Sequence, residues 1–163
     1  MTGTIEAKLD FKKWREFREV TSIKETYKFK KILGEGAFGI VYEAMHNQAQ
    51  SLCAIKTIPK TKLREHRVYE QLMMSELKTI DSHEHPHIVR VLDLCEDTKN
   101  IYIVSELIRH GTLEQNLERI KQTGASYTER DCANLILQIL SAVNFLHCQG
   151  IVHRDLKLDN ILV

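Results

Sequence analysis

The spacing of apolar and polar positions changes twice along this chain. From Tyr27 the side chains alternate, Tyr27-Lys28-Phe29-Lys30-Lys31-Ile32-Leu33, the period-two pattern of a strand, and the run ends in a glycine-rich turn. Ile40-Val41-Tyr42-Glu43-Ala44-Met45 predicts the returning strand, and residues 46–50 a polar turn. Leu52-Cys53-Ala54-Ile55-Lys56-Thr57-Ile58 predicts a third strand, closed by Pro59. Over 64–80 the period lengthens, and Val68, Leu72, Met73, Leu77 and Ile80 make a one-sided helical stripe. Strands return at Ile88–Leu94 and Ile101–Ser105, joined through Glu96-Asp97-Thr98-Lys99-Asn100.

After Gly111 the pattern is helical. Thr112 caps a short helix ending near Gly124. Thr128, followed by Glu129 and Asp131, caps a longer one over 129–148, with Gly150 as its stop. Leu135, Ile136, Leu137, Ile139, Leu140, Val143, Phe145 and Leu146 cover most of that helix, which therefore calls for burial on several sides. Strands first and helices second predict an α+β arrangement. Residues 1–26 read as an N-terminal extension, in which Leu9, Phe11, Trp14 and Phe17 share a loose stripe among basic residues. The stripe predicts a surface helix or a mobile arm; Glu6, Asp10, Glu16 and Glu19 dilute its likeness to a basic calmodulin- or membrane-binding helix.

Composition narrows the class. With 163 residues, 43% hydrophobic and 28% charged, the chain has material for one domain with a sizeable core. A formal net charge of +1 gives no bulk attraction to nucleic acid or to an anionic membrane. The four cysteines form no C-x-x-C pair, so free thiols in a cytoplasmic or nuclear protein are expected. The first residues carry neither a basic start nor an apolar core of a signal peptide, Thr2 stands where myristoylation needs glycine, and no apolar run is expected to span a bilayer.

Three segments carry chemistry. Gly34-Glu35-Gly36-Ala37-Phe38-Gly39-Ile40-Val41 fits G-x-G-x-x-G-x-V. A dinucleotide-binding turn would lead straight into a helix, whereas β-rich Ile40–Met45 follows here. Cys53-Ala54-Ile55-Lys56 places a lysine on an apolar strand, where it needs a partner; Glu65, Glu70 and Glu76 are the candidates. His83, His85 and His87 alternate, but no carboxylate or cysteine of suitable spacing joins them, so loop packing and capping are expected rather than metal. The third segment is His153-Arg154-Asp155-Leu156-Lys157-Leu158-Asp159-Asn160.

Taken in order, the glycine turn, Cys53-Ala54-Ile55-Lys56 (V-A-I-K with Cys for Val) and the octapeptide (H-R-D-L-x-x-x-N) resemble the eukaryotic protein kinase family, Ser/Thr type. The run Glu96–Val104 and the entry at Tyr27-Lys28-Phe29 look most like its calcium/calmodulin-dependent group, which implies a calcium-signalling partner. The resemblance implies a five-stranded antiparallel N-lobe sheet with its helix C, followed by the first helices of a helical C-lobe. The kinase domain would span 27–163, with the N-lobe and start of the hinge at 27–106 and the start of the C-lobe, through the catalytic loop, at 107–163. It further implies ATP, Mg²⁺ and a protein substrate bearing a Ser or Thr hydroxyl. Asp155 would accept the hydroxyl proton, Lys157 would neutralise the γ-phosphate, Lys56 would pair with the phosphates and with Glu76, and Asn160 would bind metal. Leu33, Gly34, Glu35, Gly36, Ala37, Phe38, Gly39, Val41, Ala54, Ser105, Glu106, Ile108 and Leu162 would line the nucleotide, with Ser105 as a small gatekeeper and the backbone of Glu106 and Ile108 at the adenine. Thr112 replaces an acidic residue common in the family. No D-F-G or activation segment follows Asn160, so a truncated kinase, inactive by itself and with several apolar residues of helix 129–148 left exposed, is the expectation. The alternative is a naturally short kinase-like module that binds nucleotide or a partner without turnover.

Overall fold

The computed structural model describes residues 17–36, 39–65 and 85–163. Its strands are β1 (Arg18–Glu19), β2 (Tyr27–Gly36), β3 (Gly39–His46), β4 (Leu52–Pro59), β5 (Val91–Glu96) and β6 (Asn100–Glu106). Its helices are α1 (Lys60–Glu65), α2 (Leu113–Gln122) and α3 (Glu129–Cys148), with short 3-10 turns at Ile23–Glu25 and Leu158–Asn160. The strands form one sheet in the order β1-β5-β6-β4-β3-β2. Strands β2 to β6 are the expected five antiparallel strands, and the α+β architecture follows.

The sixth strand was not expected. Arg18 and Glu19, in the segment predicted as a surface helix or mobile arm, pair in parallel with Cys95 and Glu96. The Val20 N–H donates to the Glu96 carbonyl at 2.9 Å, and Arg18 reaches Asp93 Oδ2 at 2.5 Å. These contacts occupy backbone groups on the outer edge of β5 that a bare edge strand would leave unpaired. Leu9, Phe11 and Trp14 lie outside the described residues.

Alternation along β4 builds two cores, one on each face. Cys53 and Ile55 join Ala44, Cys95, Tyr102 and Val104 on one face, where Ile23 and Tyr27 cover them. Ile58 joins Leu94, Ile101 and Ile103 on the other, where Leu63 of α1 packs. Ile55 pairs across to Val104, and both are fully buried, each burial being worth roughly 1.5–3 kcal/mol. Helix α1 begins at once after Pro59, earlier than the predicted 64–80 stripe; Val68, Leu72, Met73, Leu77 and Ile80 lie outside the described residues. Strand β5 starts at Val91 rather than Ile88 because the Ile88 N–H closes a turn onto the His85 carbonyl at 3.1 Å.

Both later helices open with capping boxes. Thr112 and Gln115 exchange backbone and side-chain hydrogen bonds, as do Thr128 and Asp131. Gly150, at φ 72°, donates to the His147 carbonyl at 2.9 Å and stops α3 as predicted. Helix α3 buries Leu146 and leaves Ile136, Leu137 and Leu140 at 54%, 64% and 55% exposure, so several of its apolar residues are exposed as expected. An 18-residue window of this helix reaches a mean hydropathy of 1.2, long and apolar enough by length and composition alone to cross a bilayer, where no such run was expected. Asn134, Gln138, Ser141, Asn144 and His147 nonetheless recur at nearly every turn, and such groups are costly in hydrocarbon.

All four thiols are free; Cys53 and Cys95 are buried, Cys132 and Cys148 exposed. Burial raises the Cys95 pKa to about 12, with Asp93 adding to the shift, so its thiolate is scarce at neutral pH. A disulfide-exchange reagent should therefore modify two thiols quickly and two only on unfolding, with Cys132 and Cys148 identified as the fast pair by peptide mass.

Candidate active site

The β2–β3 hairpin is closed by glycines. Gly34 pairs with Val41 and Gly36 with Gly39, while the tip residues Ala37 and Phe38 lie outside the described residues. Gly39 has φ 154°, and a Cβ there would stand 2.0 Å from the Thr57 carbonyl oxygen. Only glycine lets this end of the hairpin lie against β4. Gly34 and Gly36 differ: a Cβ at either would meet nothing within 4 Å among the described residues, so open space adjoins the hairpin there with respect to them. Leu33 falls at the register shift between Ile32 and Gly34 and is 38% exposed; Glu35 beside it is also exposed.

The register assembles one face. Val41 lies across from Lys56, Lys56 across from Ile103, and Ile103 across from Leu94. Ala54 lies across from Ser105. Val41, Ala54, Lys56 and Ser105 therefore share a face with the Ile58 core, while Cys53 and Ile55 point to the opposite one. Glu106 closes β6. Its N–H donates to the Arg90 carbonyl at 3.0 Å and its Oε1 accepts from the Arg90 N–H at 2.7 Å. This leaves the Glu106 carbonyl, rather than its N–H, as the backbone group to offer a ligand. Ile108 follows in the half-buried link toward α2.

That link holds the third motif. The Leu113 N–H donates to the Ile161 carbonyl at 2.7 Å, Val163 to Gly111 at 3.0 Å, and His110 to Val163 at 3.2 Å. Leu162 bridges to Thr112, so the residues just after the octapeptide are laced to those just after β6. Thr112, at a position often acidic in the resembling family, serves here as the α2 cap.

Within the octapeptide Arg154 takes φ 64°, a left-handed conformation uncommon for a non-glycine residue. The turn it makes lets the Asp155 N–H donate to His153 Nδ1 at 3.3 Å. The Asn160 side-chain amide donates to both the Asp155 carbonyl oxygen and Asp155 Oδ2, each at 2.8 Å. Lys157 Nζ stands 3.3 Å from the same Oδ2. The Asn160 hydrogen bond first, and Lys157 next, hold the Asp155 carboxyl below its ordinary range. Asp155, Lys157 and Asn160 are thus brought together, on an exposed loop.

Of the other sequence-predicted residues, Glu70, Glu76 and His83 and the side chain of Glu65 lie outside the described residues, so the pairing chosen for Lys56 does too. His85 stands 3.2 Å from Ser141 Oγ and stacks at 5.0 Å on Phe145, and its Nδ1 accepts the His87 N–H at 3.1 Å. These are packing and capping contacts. Among the described residues no group of three His, Cys, Asp or Glu side chains is arranged to hold a metal.

Sequence reasoning missed one polar cluster. Asp93 Oδ2 accepts from Arg18 at 2.5 Å, from the Cys95 thiol at 3.1 Å and from the Tyr27 hydroxyl at 3.3 Å. Burial pushes Asp93 upward, but the hydrogen bonds from Arg18 and Cys95 outweigh it and hold the carboxyl below its ordinary value. An aspartate inside the apolar run Val91-Leu92-Asp93-Leu94-Cys95 was the available signal, since a half-buried charge requires a partner.

A family model described as protein kinase domain matches residues 27–163. The chain is 39% identical over 144 residues to myosin light chain kinase A of Dictyostelium discoideum, covering 88% of this chain and 47% of that protein. It is 37% identical over 157 residues to calcium/calmodulin-dependent protein kinase type 1 of Macrobrachium nipponense, covering 96% and 44%. Serine/threonine-protein kinase 33 of Bos taurus is 37% identical over 142 residues, covering 87% and 28%. The chain spans less than half the length of each of these relatives.

Two outcomes follow from the geometry. Gly39→Ala should destabilise by about 2–3 kcal/mol, through a backbone clash no rotamer relieves, while Gly34→Ala should leave the melting temperature nearly unchanged. Paired thermal melts check both. For Asp155, Asn160→Ala removes the larger cause of its shift, so its titration midpoint should move up toward the ordinary carboxylate value of about 3.9. The wild-type carboxylate stays charged to lower pH than the variant's, which carbon-detected NMR titration measures directly.

Proposed function

The chain belongs to the protein kinase domain family, and on that premise we propose that it serves ATP-dependent phosphoryl transfer to a Ser or Thr hydroxyl of a protein. The observation that carries this reading is the Asp155–Asn160–Lys157 cluster, in which one amide fixes both the backbone and the carboxylate of a single aspartate. Such fixing has little value for stability on an exposed loop, but it sets the direction of a carboxylate that must meet a hydroxyl. Both side-chain contacts fall on Oδ2, which leaves Oδ1 to accept the hydroxyl proton. Lys157 stands at the same carboxylate and would carry positive charge to the transferred phosphoryl group. Lys157 in this position supports the Ser/Thr rather than the Tyr class.

The nucleotide would lie against the face that carries Val41, Ala54, Lys56 and Ser105. Gly34 and Gly36 present backbone beside open space, which fits close approach of phosphates. Lys56 would pair with those phosphates, and Glu76 with Lys56. The Glu106 carbonyl and the Ile108 N–H would face the adenine edge, with Leu33 and Leu162 on its two sides. Asn160 spends its amide nitrogen on Asp155, so its carbonyl oxygen is left as a hard donor. One protein oxygen, completed by phosphate and water, suits Mg²⁺. Bound there, Mg²⁺ would supply charge neutralisation between phosphate oxygens.

These 163 residues contain no Asp-Phe-Gly sequence. We therefore read them as sufficient to bind nucleotide and, on their own, as poor at transfer. The relatives named for calcium/calmodulin dependence support a calcium-signalling partner, and four free thiols fit a reducing compartment such as the cytoplasm.

Isothermal titration with MgATP tests the reading. The wild-type chain should bind, Lys56→Met should weaken binding by about tenfold or more, and Asp155→Asn should bind normally while lacking any residual transfer of labelled γ-phosphate. Binding unaffected by Lys56→Met would remove the nucleotide site from this face.

A further inference from the structure

We propose that Phe17, which precedes the family-matched residues 27–163, is a positioning residue for the Lys56 face of the sheet. The inference rests on the reading of that face as the nucleotide site. Two consecutive residues reach opposite faces of the β5 edge. Phe17 packs against the core of Ile58, Leu63, Leu94, Ile101 and Ile103. Arg18 turns to the other face and binds Asp93 Oδ2 at 2.5 Å and Cys95 Sγ at 3.2 Å.

Each contact leads to a part of the proposed site. Ile103 lies directly across from Lys56, Leu94 directly across from Ile103, and Ile58 follows Lys56 by two residues on the same face. Phe17 thus supports the apolar bed on which the lysine strand rests. Leu63, in the same core, ties this bed to α1. On the other face Asp93 holds Arg18 and also the hydroxyl of Tyr27, the first residue of the strand that ends in the glycine hairpin. Removing the strap would leave a half-buried carboxylate without its cation and the Glu96 carbonyl without the Val20 N–H.

A structural brace would lower stability wherever it is cut, whereas a positioning residue acts on one face. The experiment compares Phe17→Ala with Val20→Ala, which trims the core on the opposite face, in the full 163-residue chain, using MgATP titration and amide hydrogen exchange. At matched loss of melting temperature, Phe17→Ala should weaken MgATP binding by about threefold to tenfold and speed exchange at 56–58 and 101–103, while Val20→Ala leaves affinity within about twofold. Phe17→Leu should restore affinity to within about twofold of wild type. Equal loss of affinity in Val20→Ala, or faster exchange in Phe17→Ala confined to 17–20 and 95–96, would overturn the proposal. Should the wild-type chain bind no MgATP, the nucleotide reading of the face fails, while the exchange pattern at 56–58 and 101–103 still decides whether Phe17 positions that strand.

Discussion

The register of β4 is the constraint from which the rest of the molecule follows. Residues Cys53 to Thr57 are paired on both sides, to β3 and to β6. A slip of one residue would exchange the faces, carrying Ile55 off the core of Ala44, Tyr102 and Val104 and Lys56 into it. Ile55 is completely buried, and the lysine would have to bury its charge, so the two costs oppose the slip together. The contact at Gly39 acts in the same direction. The Thr57 carbonyl sits where a side chain at position 39 would be, so hairpin and strand fit in one alignment. The placement of Val41, Ala54, Lys56 and Ser105 on a common face is a by-product of packing, and any ligand chemistry there inherits its precision from an apolar core on the far side.

What was legible in the sequence was what short-range chemistry writes. Alternation over Tyr27–Leu33 and Leu52–Ile58, the threonine caps at 112 and 128, and the glycine stop at 150 are each decided within a few residues, and each appears where expected. The order of three motifs likewise carried the family. The β1 strap was illegible for the opposite reason. Arg18 and Asp93 are separated by 75 positions, and neither has a local pattern that announces the other. The apolar spacing around Phe17 suggested a helix, and tertiary pairing with an open strand edge prevailed over it. At the candidate site the identities of Asp155, Lys157 and Asn160 were legible, while the shared oxygen that joins them, and the left-handed turn at Arg154 that permits it, required coordinates.

Helix α3 shows where composition misleads. Its length and mean hydropathy satisfy the criteria for a membrane span, yet its first turn carries Glu129, Arg130 and Asp131, and its cap is a water-compatible box of Thr128 and Asp131. Ser141 and Phe145 meet His85 from the loop before β5, so the helix is already engaged with protein on one side. Polar groups at nearly every turn suit a helix packed among other helices better than one facing hydrocarbon.

The electrostatics of Asp155 bear on how the proposed transfer would run. A carboxylate held below the ordinary range is a weak base, and a serine or threonine hydroxyl is a far weaker acid, so proton transfer in the ground state is strongly unfavourable. The balance changes only as the hydroxyl oxygen bonds to phosphorus and its proton becomes acidic. Asp155 would then act late, receiving a proton the reaction itself has loosened, while earlier it orients the hydroxyl by accepting its hydrogen bond. On this account the Asn160 and Lys157 contacts that weaken Asp155 as a base work in favour of the reaction. They keep the carboxylate ionised and fixed in direction, and in a step governed by positioning and charge those properties outweigh basicity.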